Sequence, residues 1–512
     1  MTTATVLEIV NKRLEIIVST NQRDVVDQAE AALLRLGGVY TRARTLVHVV
    51  RDVGESHDLQ YPEGQPVIAR LGRERMRELC GAAATWLVKR TKRGEEMLVE
   101  SLTPPWVPAT LEQRGEWRFP ALDGVSDAPV FRADGSVHDR PGYDLATRII
   151  YEPGGVVYPP VPSTPTAEDA DAALGALLDP FVDFPAVADS DRSALIALVL
   201  TLVARAAIEG PTPLFLVRAP TPGSGKGLSL DAAAMIATGR LAPKRPPVAN
   251  DDELRKAMLA YAIESPALIV LDNVAGSLGS PTLAFALTAG TLTDRLLGAS
   301  ESRTVPLRFV MAATGNNVQL RGDTGRRVIP IDLDPRVEHP EDRGGWRYPN
   351  LLDHLRVERP RLIAAALTIL RGFVVAGRPD HGKPTKGSFE AWDRLVRGAI
   401  VWAGGADPLG GVQRIRDDGD EDLERLRALL VAWDASLGSM PTTVADAIKR
   451  SGDGGPLHEA LTAYSRGGKL DTKAIGHALK AQRGRIVGGM ELVRDSLDRN
   501  GVARWLVRTV ES

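Results

Sequence analysis

A glycine-rich loop between two apolar runs constrains the fold of this chain more than any other feature. Residues 214–217 have the continuous apolar character of a buried strand, and residues 226–238 form an apolar helical run. The loop before the helix reads A-P-T-P-G-S-G-K-G. Its glycines let successive backbone N–H groups point at one centre, while the helix start and Lys226 add positive charge. We therefore expect the loop to bind a polyphosphate through Pro222, Gly223, Ser224, Gly225, Lys226, Gly227 and Leu228.

The loop departs from the usual phosphate-binding pattern at two positions. Pro220 stands at the first glycine position, and Gly227 stands where a hydroxyl normally meets magnesium. Without that hydroxyl, water or a nearby group such as Ser229 must hold the metal, and hydrolysis could be weaker than usual. An ordinary glycine-rich turn is the alternative interpretation.

Two further apolar runs are each followed by polar side chains. Residues 266–271 end in Asp272-Asn273, and residues 307–313 lead into T-G-N-N. Alternating strands and helices from residue 168 onward predict a parallel sheet covered by helices. We expect Asp272 to face Mg²⁺, and Asn316 rather than Asn317 to contact a γ-phosphate or position water. A core strand ending in a turn and a Gly-Asn turn are the alternatives.

The sequence does not identify the catalytic base, and it leaves two roles open for a pair of arginines. A glutamate that polarises water often follows such an aspartate, and Asn273 occupies that position here, so the base is unassigned and Glu301 is a remote candidate. Arg326 and Arg327 precede the apolar run 328–333. They are either surface charges or arginine fingers that reach the γ-phosphate of a neighbouring subunit, which would require an oligomer.

Taken together, A-P-T-P-G-S-G-K-G, L-I-V-L-D-N, A-T-G-N-N and R-G-D-T-G-R-R-V resemble the ATPase cores of phage- and plasmid-type primase-helicases. These belong with AAA+ and superfamily 3 helicases, and the resemblance covers about residues 168–334. The N-terminal region and the segment S-F-E-A-W at 388–392 are similar, less specifically, to mobile-element replication proteins. The resemblance implies ATP and Mg²⁺ as cofactors and a hexameric ring that translocates along DNA. It also implies DNA contacts from Arg295 and Arg303.

The regions on either side of this core have different sequence patterns. Before residue 160 the patterns predict an α+β domain with hairpins, and five prolines between 152 and 165 indicate an extended linker. The expected fold is therefore α/β, a P-loop NTPase (AAA+-like) parallel sheet core with an N-terminal α+β domain and a C-terminal winged-helix domain. The expected boundaries are 1–160, 161–385 for the ATPase domain with a helical extension, 386–425 for a helical connector, and 426–512.

The last forty residues carry basic side chains on a helix-and-hairpin outline. A helix is predicted over 472–482, followed by strands over 486–493 and 502–507. A winged helix of this kind can place a helix in the major groove of DNA, and the alternative is a module for protein contacts. The DNA-contact candidates are Lys480, Arg483, Arg485, Arg499 and Arg504.

Net charge and composition limit the expected cellular location and the type of DNA contact. The formal net charge of −2 argues against coating nucleic acid by bulk electrostatics, so a DNA site must be local. Cys80 is the only cysteine, no secretory signal is recognisable, and the longest apolar run is short for a membrane span. We expect a cytoplasmic protein without membrane contact. The first 160 residues hold no separate primase signature.

Two hypotheses about function follow. The first is an ATP-dependent DNA helicase or translocase of a phage, plasmid or integrated-element replication module. It would act as a ring oligomer and could have a primase or other replication proteins as partners. The second is a nucleotide-gated DNA-binding or assembly switch with little ATP turnover, which Gly227 and Asn273 favour. A small-molecule kinase is disfavoured because no acceptor pocket is recognisable.

Overall fold

The computed structural model describes residues 13–51, 66–248, 250–295, 302–417, 421–465, 470–499 and 501–510. The chain divides into two compact units. The first comprises residues 1–318 and 322–411, and the second comprises residues 319–321 and 412–512. The finer division into four domains stays a prediction.

The N-terminal part of the first unit combines helices with two three-stranded sheets. The sheet orders are β1-β5-β6 and β2-β3-β4. The buried face of the helix α1 (Gln22–Leu36) shares one hydrophobic cluster with Trp86 and Met76. The elements are β1 (Leu14–Val18), α1 (Gln22–Leu36), β2 (Tyr40–Arg42), β3 (Thr45–Arg51), β4 (Pro66–Arg70), α2 (Arg73–Ala83), β5 (Ala84–Lys92), β6 (Glu95–Ser101) and α3 (Trp106–Arg114).

Short strands and an extended segment lead into the central part of the unit. The strands are β7 (Gly124–Ser126), β8 (Val130–Phe131), β9 (Val137–His138), β10 (Gly142–Asp144) and β11 (Ile149–Tyr151). The antiparallel pairs β8–β9 and β10–β11 form where hairpins are predicted. The proline-rich segment 152–165 contains no helix or strand, as expected for an extended linker. Tyr158 within it accepts a hydrogen bond from buried Arg359 at 2.9 Å.

The central part is a mixed α/β structure around a five-stranded parallel sheet in the order β13-β14-β17-β12-β18. This confirms the parallel sheet and is compatible with a P-loop core. Its elements are α4 (Ala167–Leu178), α5 (Asp189–Val203), β12 (Leu214–Ala219), α6 (Lys226–Thr238), β13 (Lys244–Arg245), α7 (Asp251–Glu264), β14 (Leu268–Leu278), α8 (Pro281–Ala286), β15 (Thr291–Arg295), β16 (Ser302–Pro306), β17 (Val310–Leu320), β18 (Val328–Asp332), α9 (Leu351–Val375), α10 (Glu390–Trp392) and α11 (Gly398–Trp402).

Helices α5, α6 and α9 contribute most of the helical side of the core. The apolar run that predicts a buried helix lies mostly in α5, where residues 194–200 have no solvent exposure. None of the helices in the described residues is both long and apolar enough to cross a membrane. At the carboxyl end of the sheet, Arg218 of β12 donates to both carboxylate oxygens of Asp332 of β18, at 2.8 and 3.1 Å. This ion pair ties the end of β12, where the glycine-rich loop begins, to the neighbouring strand.

Three sequence-based element bounds need correction. Strands β14 and β17 continue to Leu278 and Leu320, past the polar residues at which the apolar runs stop. The backbone stays extended there although the side chains are no longer continuously buried. The strand predicted to begin at 307 begins at Val310 instead. The helix predicted over 282–289 is the shorter α8.

The second unit packs helices on an antiparallel sheet in the order β19-β22-β21-β20. Trp433 and Trp505 are buried in its core. The helix predicted over 472–482 matches α16. The single strand predicted over 486–493 is wrong, because Gly488 and Gly489, both with positive φ, turn the chain between two strands. The elements are α12 (Val412–Asp417), α13 (Glu421–Leu437), β19 (Thr442–Thr443), α14 (Val444–Ser451), α15 (Pro456–Thr462), α16 (Thr472–Gln482), β20 (Ile486–Val487), β21 (Met490–Leu497) and β22 (Ala503–Thr509).

Candidate functional site

The glycine-rich loop leaves β12 at Ala219 and closes on its own backbone before α6 begins. Ser224 Oγ donates to the Thr221 carbonyl at 2.6 Å, and Lys226 Nζ donates to the same carbonyl at 3.1 Å. Gly223 and Gly225 have φ values of 75° and 85°, a region in which side chains are strained. The Lys226 ammonium is thereby held over the loop at the start of a 13-residue helix.

The Asp272 carboxylate is fixed by a threonine from the neighbouring strand. Thr314 Oγ1 of β17 donates to Asp272 Oδ1 of β14 at 2.6 Å. The same hydroxyl oxygen accepts the backbone N–H of Asn273 at 2.8 Å. Thr314 is 2% exposed, so water competes little for these bonds. A single hydroxyl therefore sets both the direction of the carboxylate and the path of the chain that follows it.

Gly315 allows the two strands to approach at this point. A Cβ atom built on Gly315 would lie 2.5 Å from the Val274 carbonyl oxygen and 2.2 Å from Val318 Cγ2. Both distances are shorter than carbon and oxygen atoms tolerate, and the first involves backbone, which cannot rotate away. The glycine of T-G-N-N is thus required by packing, which the alternative of a simple Gly-Asn turn does not explain.

Asn316 lies beside the start of the glycine-rich loop. It pairs in register with Ala219, the last residue of β12. Its Oδ1 atom is buried and has no hydrogen-bond partner among the described residues. A buried amide oxygen without a partner is costly unless a water molecule or ligand satisfies it. Asn317 and Asn273 are exposed and have positive φ values of 46° and 60°, so Asn316 remains the better candidate for a ligand contact.

Lys226 and Asp272 are close enough to influence one another electrostatically. Burial lowers the pKa of the Lys226 ammonium, and the nearby Asp272 carboxylate partly offsets this lowering. The loop lysine, the aspartate and Asn316 therefore meet at the carboxyl edge of the sheet. Ligands of open α/β sheets bind at such an edge, outside the carboxyl ends of the strands.

The donor set suits a weakly held magnesium ion. Thr314 occupies one oxygen of Asp272 and leaves the other available, and Mg²⁺ is commonly bound through one carboxylate, water and phosphate oxygens. Gly227 brings no oxygen. Ser229 cannot replace it, because its side chain is fully buried and its hydroxyl donates to the Lys226 carbonyl at 2.8 Å. The described residues contain no cluster of three or more metal-ligating side chains.

The paired arginines lie at the opposite edge of the sheet. They belong to the 3-10 helix Gly322–Arg327, and Val328 pairs with Leu214, the first residue of β12. β12 separates them from the loop by roughly 17 Å along its axis. Arg327 is 8% exposed and bound to Asp323, whereas the Arg326 side chain is 63% exposed and also pairs with Asp323. Neither guanidinium joins the loop within its own chain.

A cavity of about 590 Å³ opens beside the loop. One wall consists of Gly223, Ser224, Gly225 and Leu228, and the others come from residues 180–185 and 340–356. The Phe184 ring lies against Gly225, where a Cβ atom would be 3.3 Å from it. The volume falls in the range of sites for small organic ligands. A phosphate chain on the loop would place the rest of a nucleotide in or near this cavity.

Residues 340–356 contribute aromatic and basic groups that the sequence analysis missed. The Arg343 guanidinium lies 4.9 Å from the Trp346 ring centroid, and the rings of Tyr348 and His354 stack at 3.9 Å. Glu341 faces Gly223, with Oε2 3.0 Å from the position of a Cβ there. The sequence signal was the run W-R-Y after two glycines, in which aromatic rings alternate with a cation.

The DNA-contact candidates lie outside this edge of the sheet. Strands β15 and β16 pair as an antiparallel hairpin that carries Arg295 and Arg303, opposite Ser302 and Asp294 respectively. Glu301 and residues 296–300 fall outside the described residues. In the second unit Lys480, Arg483 and Arg499 are exposed, and Arg485 donates to Gln482 Oε1 at 2.8 Å. Arg504 alternates along β22 with buried Trp505 and Val507, so it is on the face away from the core.

The fold and site thus define an α/β protein whose loop, carboxylate and amide are compatible with a P-loop nucleotide-binding core. Neither a scan against protein-family models nor a search of curated proteins gives a match. Among solved structures, the chain is similar to the apo C-terminal region of NrS-1 and to JCV helicase.

These similarities are distant. One NrS-1 structure is 13% identical, covering 83% of this chain and 93% of that chain at a TM-score of 0.34. The other is 11% identical, covering 94% and 99% at a TM-score of 0.42. JCV helicase is 13% identical, covering 51% and 72% at a TM-score of 0.23. At this level of similarity, function has to be inferred from this chain's own site.

Replacing Gly315 with alanine should separate the two strands and destabilise the first unit. We expect a loss of about 2–3 kcal/mol, since the added methyl group overlaps backbone. Urea unfolding of the full chain, followed by tryptophan fluorescence, measures the shift in midpoint. Gly290→Ala is the matched control, because a Cβ atom there meets nothing within 4 Å. Equal midpoints for the two variants would contradict the close approach.

Proposed function

We propose that this chain is an ATP-dependent DNA helicase or translocase of a phage, plasmid or integrated-element replication module, acting as a ring oligomer. The observation that carries the nucleotide part is the meeting of Lys226, Asp272 and the unpartnered Asn316 oxygen at the rim of the sheet. A triphosphate with its metal ion and attacking water satisfies all three, because the water donates a hydrogen bond to the Asn316 oxygen. The triphosphate offers anionic oxygens to the ammonium and the loop N–H groups, and it brings a metal ion to the carboxylate.

Each residue has a distinct part in this proposal. Lys226 and the backbone N–H groups of residues 223–228 bind the phosphates. Asp272 holds Mg²⁺, which supplies charge neutralisation at the phosphates when bound. Asn316 accepts a hydrogen bond from the attacking water through Oδ1 and can donate its amide N–H₂ to the γ-phosphate, and Thr314 positions Asp272. The cavity lined by Phe184 takes the base and ribose. Asn273 is exposed and directed by Thr314, and it contributes no carboxylate to act as base.

The oligomer is supported by where the arginines lie. Arg326 is exposed at the edge of the sheet opposite its own loop, so it can serve only a phosphate bound by another subunit. Its ion pair with Asp323 would have to open for that contact. Arg327 is buried against its own chain, which makes Arg326 the better candidate for an arginine finger.

The DNA part of the proposal rests on local basic groups on an otherwise neutral chain. Arg295 and Arg303 belong to the two-stranded hairpin β15–β16, which is separate from the five-stranded sheet, and five cations belong to the second unit, for which the sequence predicts a winged helix. Contacts of this kind act on phosphates and therefore weaken with salt. The alternative, a nucleotide-gated switch with little turnover, is favoured by the missing hydroxyl at Gly227.

The Lys226→Ala variant should lose ATP hydrolysis by about 100-fold, since one positioned charge at a phosphate typically contributes that much. Wild-type hydrolysis should rise on adding single-stranded or forked DNA, measured by phosphate release. Lys256→Ala is the control, because Lys256 is exposed and paired with Glu253 on α7. ATP binding without DNA stimulation or strand separation would contradict the helicase and support the switch.

Mixing two inactive variants tests the shared site. Lys226→Ala subunits retain Arg326, and Arg326→Ala subunits retain the loop. A mixed ring should therefore regain part of the wild-type hydrolysis rate because some interfaces combine both intact groups. Titrating one variant into the other at constant total concentration gives a maximum at intermediate ratios. A flat profile at every ratio would indicate that Arg326 acts within its own chain.

A further inference from the structure

A lysine lies beside the space that a side chain at position 227 would occupy. A Cβ atom built on Gly227 would lie 3.4 Å from Lys244 Nζ and 3.8 Å from Lys244 Cε. Position 227 follows the loop lysine, and the hydroxyl normally found there is directed at the metal and the phosphates. The Lys244 ammonium therefore stands close to the place at which that hydroxyl would hold magnesium.

The sheet register places Lys244 on the same face of the sheet as Asp272. Lys244 of β13 pairs with Val270 of β14, and side chains in register point to the same face of a sheet. Asp272 lies two residues beyond Val270, so it shares that face. Gly227, Lys244 and Asp272 reach one region from a helix and two adjacent strands.

Lys244 is anchored but retains donors. Its Nζ donates to Asp231 Oδ2 at 2.7 Å, and Asp231 Oδ1 accepts the backbone N–H of Ala242 at 3.1 Å. Asp231 is one turn after Gly227 on α6, on the same helical face. An ammonium group has three N–H donors, so two remain after this bond. The Lys244 side chain is 39% exposed, which leaves it open to a ligand on the loop.

We propose that Lys244 is a second phosphate-binding cation. It donates to the β- or γ-phosphate oxygens of the bound nucleotide, in the space from which a hydroxyl would otherwise hold magnesium. Nucleotide binding is consequently only weakly dependent on Mg²⁺. The inference rests on the proposed function, because it assumes that the loop binds a nucleoside triphosphate.

A purely structural role for Lys244 makes a different prediction. β13 is an edge strand of two residues, and lysines on edge strands commonly prevent pairing with other chains. In that case the Lys244–Asp231 pair would influence folding and leave nucleotide affinity unchanged. Arg245, the next residue, offers a matched comparison. It points to the opposite face and pairs with Glu264 at 3.0 Å.

The test measures equilibrium binding of a fluorescent ATP analogue to the full chain, with excess MgCl₂ or with EDTA. The wild-type Kd should differ between the two media by less than about threefold. Lys244→Met should raise the Kd in EDTA by about tenfold or more, the effect of losing a hydrogen bond to a charged group. Lys244→Arg should restore most of the affinity, and Arg245→Met should leave it unchanged.

The double variant Gly227→Ser/Lys244→Met restores a hydroxyl and removes the ammonium. Its binding should become magnesium-dependent, about tenfold tighter with MgCl₂ than with EDTA. If Lys244→Met binds as wild type does in both media while Lys226→Ala fails to bind, the role of Lys244 is overturned and the nucleotide site stands. If the wild type binds no nucleotide in either medium, the proposed function fails, and this inference fails with it.

Discussion

The hydroxyl of Thr314 joins two central strands at the point where their functional side chains leave the sheet. It donates to the Asp272 carboxylate and accepts the N–H of Asn273, and the Thr314 side chain is itself buried. Gly315, the next residue, removes the methyl group that would force the strands apart. The following residue, Asn316, then lies in register with the end of β12. The separation between carboxylate, amide and loop is therefore set by one threonine and one glycine.

Lysine and aspartate side chains lie together at this rim of the sheet. Lys226 and Lys244 face Asp272 and Asp231, and burial lowers the pKa of Lys226. A bound triphosphate would add negative charge and favour the protonated lysine, so it would add to the partial offset that Asp272 already provides against the cost of burying the ammonium. In the proposed role of Lys244, an ammonium beside Gly227 takes the place of the usual hydroxyl and trades metal coordination for direct charge neutralisation, which can favour binding over turnover.

The sequence was sufficient to predict the parts of the site that lie within single elements. An apolar run followed by glycines and a lysine defines strand, loop and helix locally, and α6 matches the predicted bounds. Asp272 and Asn316 were found because each follows an apolar strand. The continuation of β14 and β17 beyond these residues was missed, since their burial falls where the apolar pattern ends.

Features that distant segments form together could not be predicted from local sequence patterns. Lys244 is in a two-residue strand with no periodic signal, and its position depends on register with β14. The cavity brings residues 180–185 and 340–356 to a loop far from both in sequence. The sequence left Arg326 and Arg327 as either surface charges or arginine fingers for a neighbouring subunit, and the direction of β18 places them at the end of the sheet away from the loop. Only tertiary topology decides such placements.

A structure of the full chain with a non-hydrolysable ATP analogue and Mg²⁺ tests the central claim most directly. The account expects the γ-phosphate within hydrogen-bond distance of Lys226 Nζ and the Asn316 amide, the metal on Asp272, and the base beside Phe184. Analogue bound at another surface, or a loop that stays empty at saturating concentration, would contradict it.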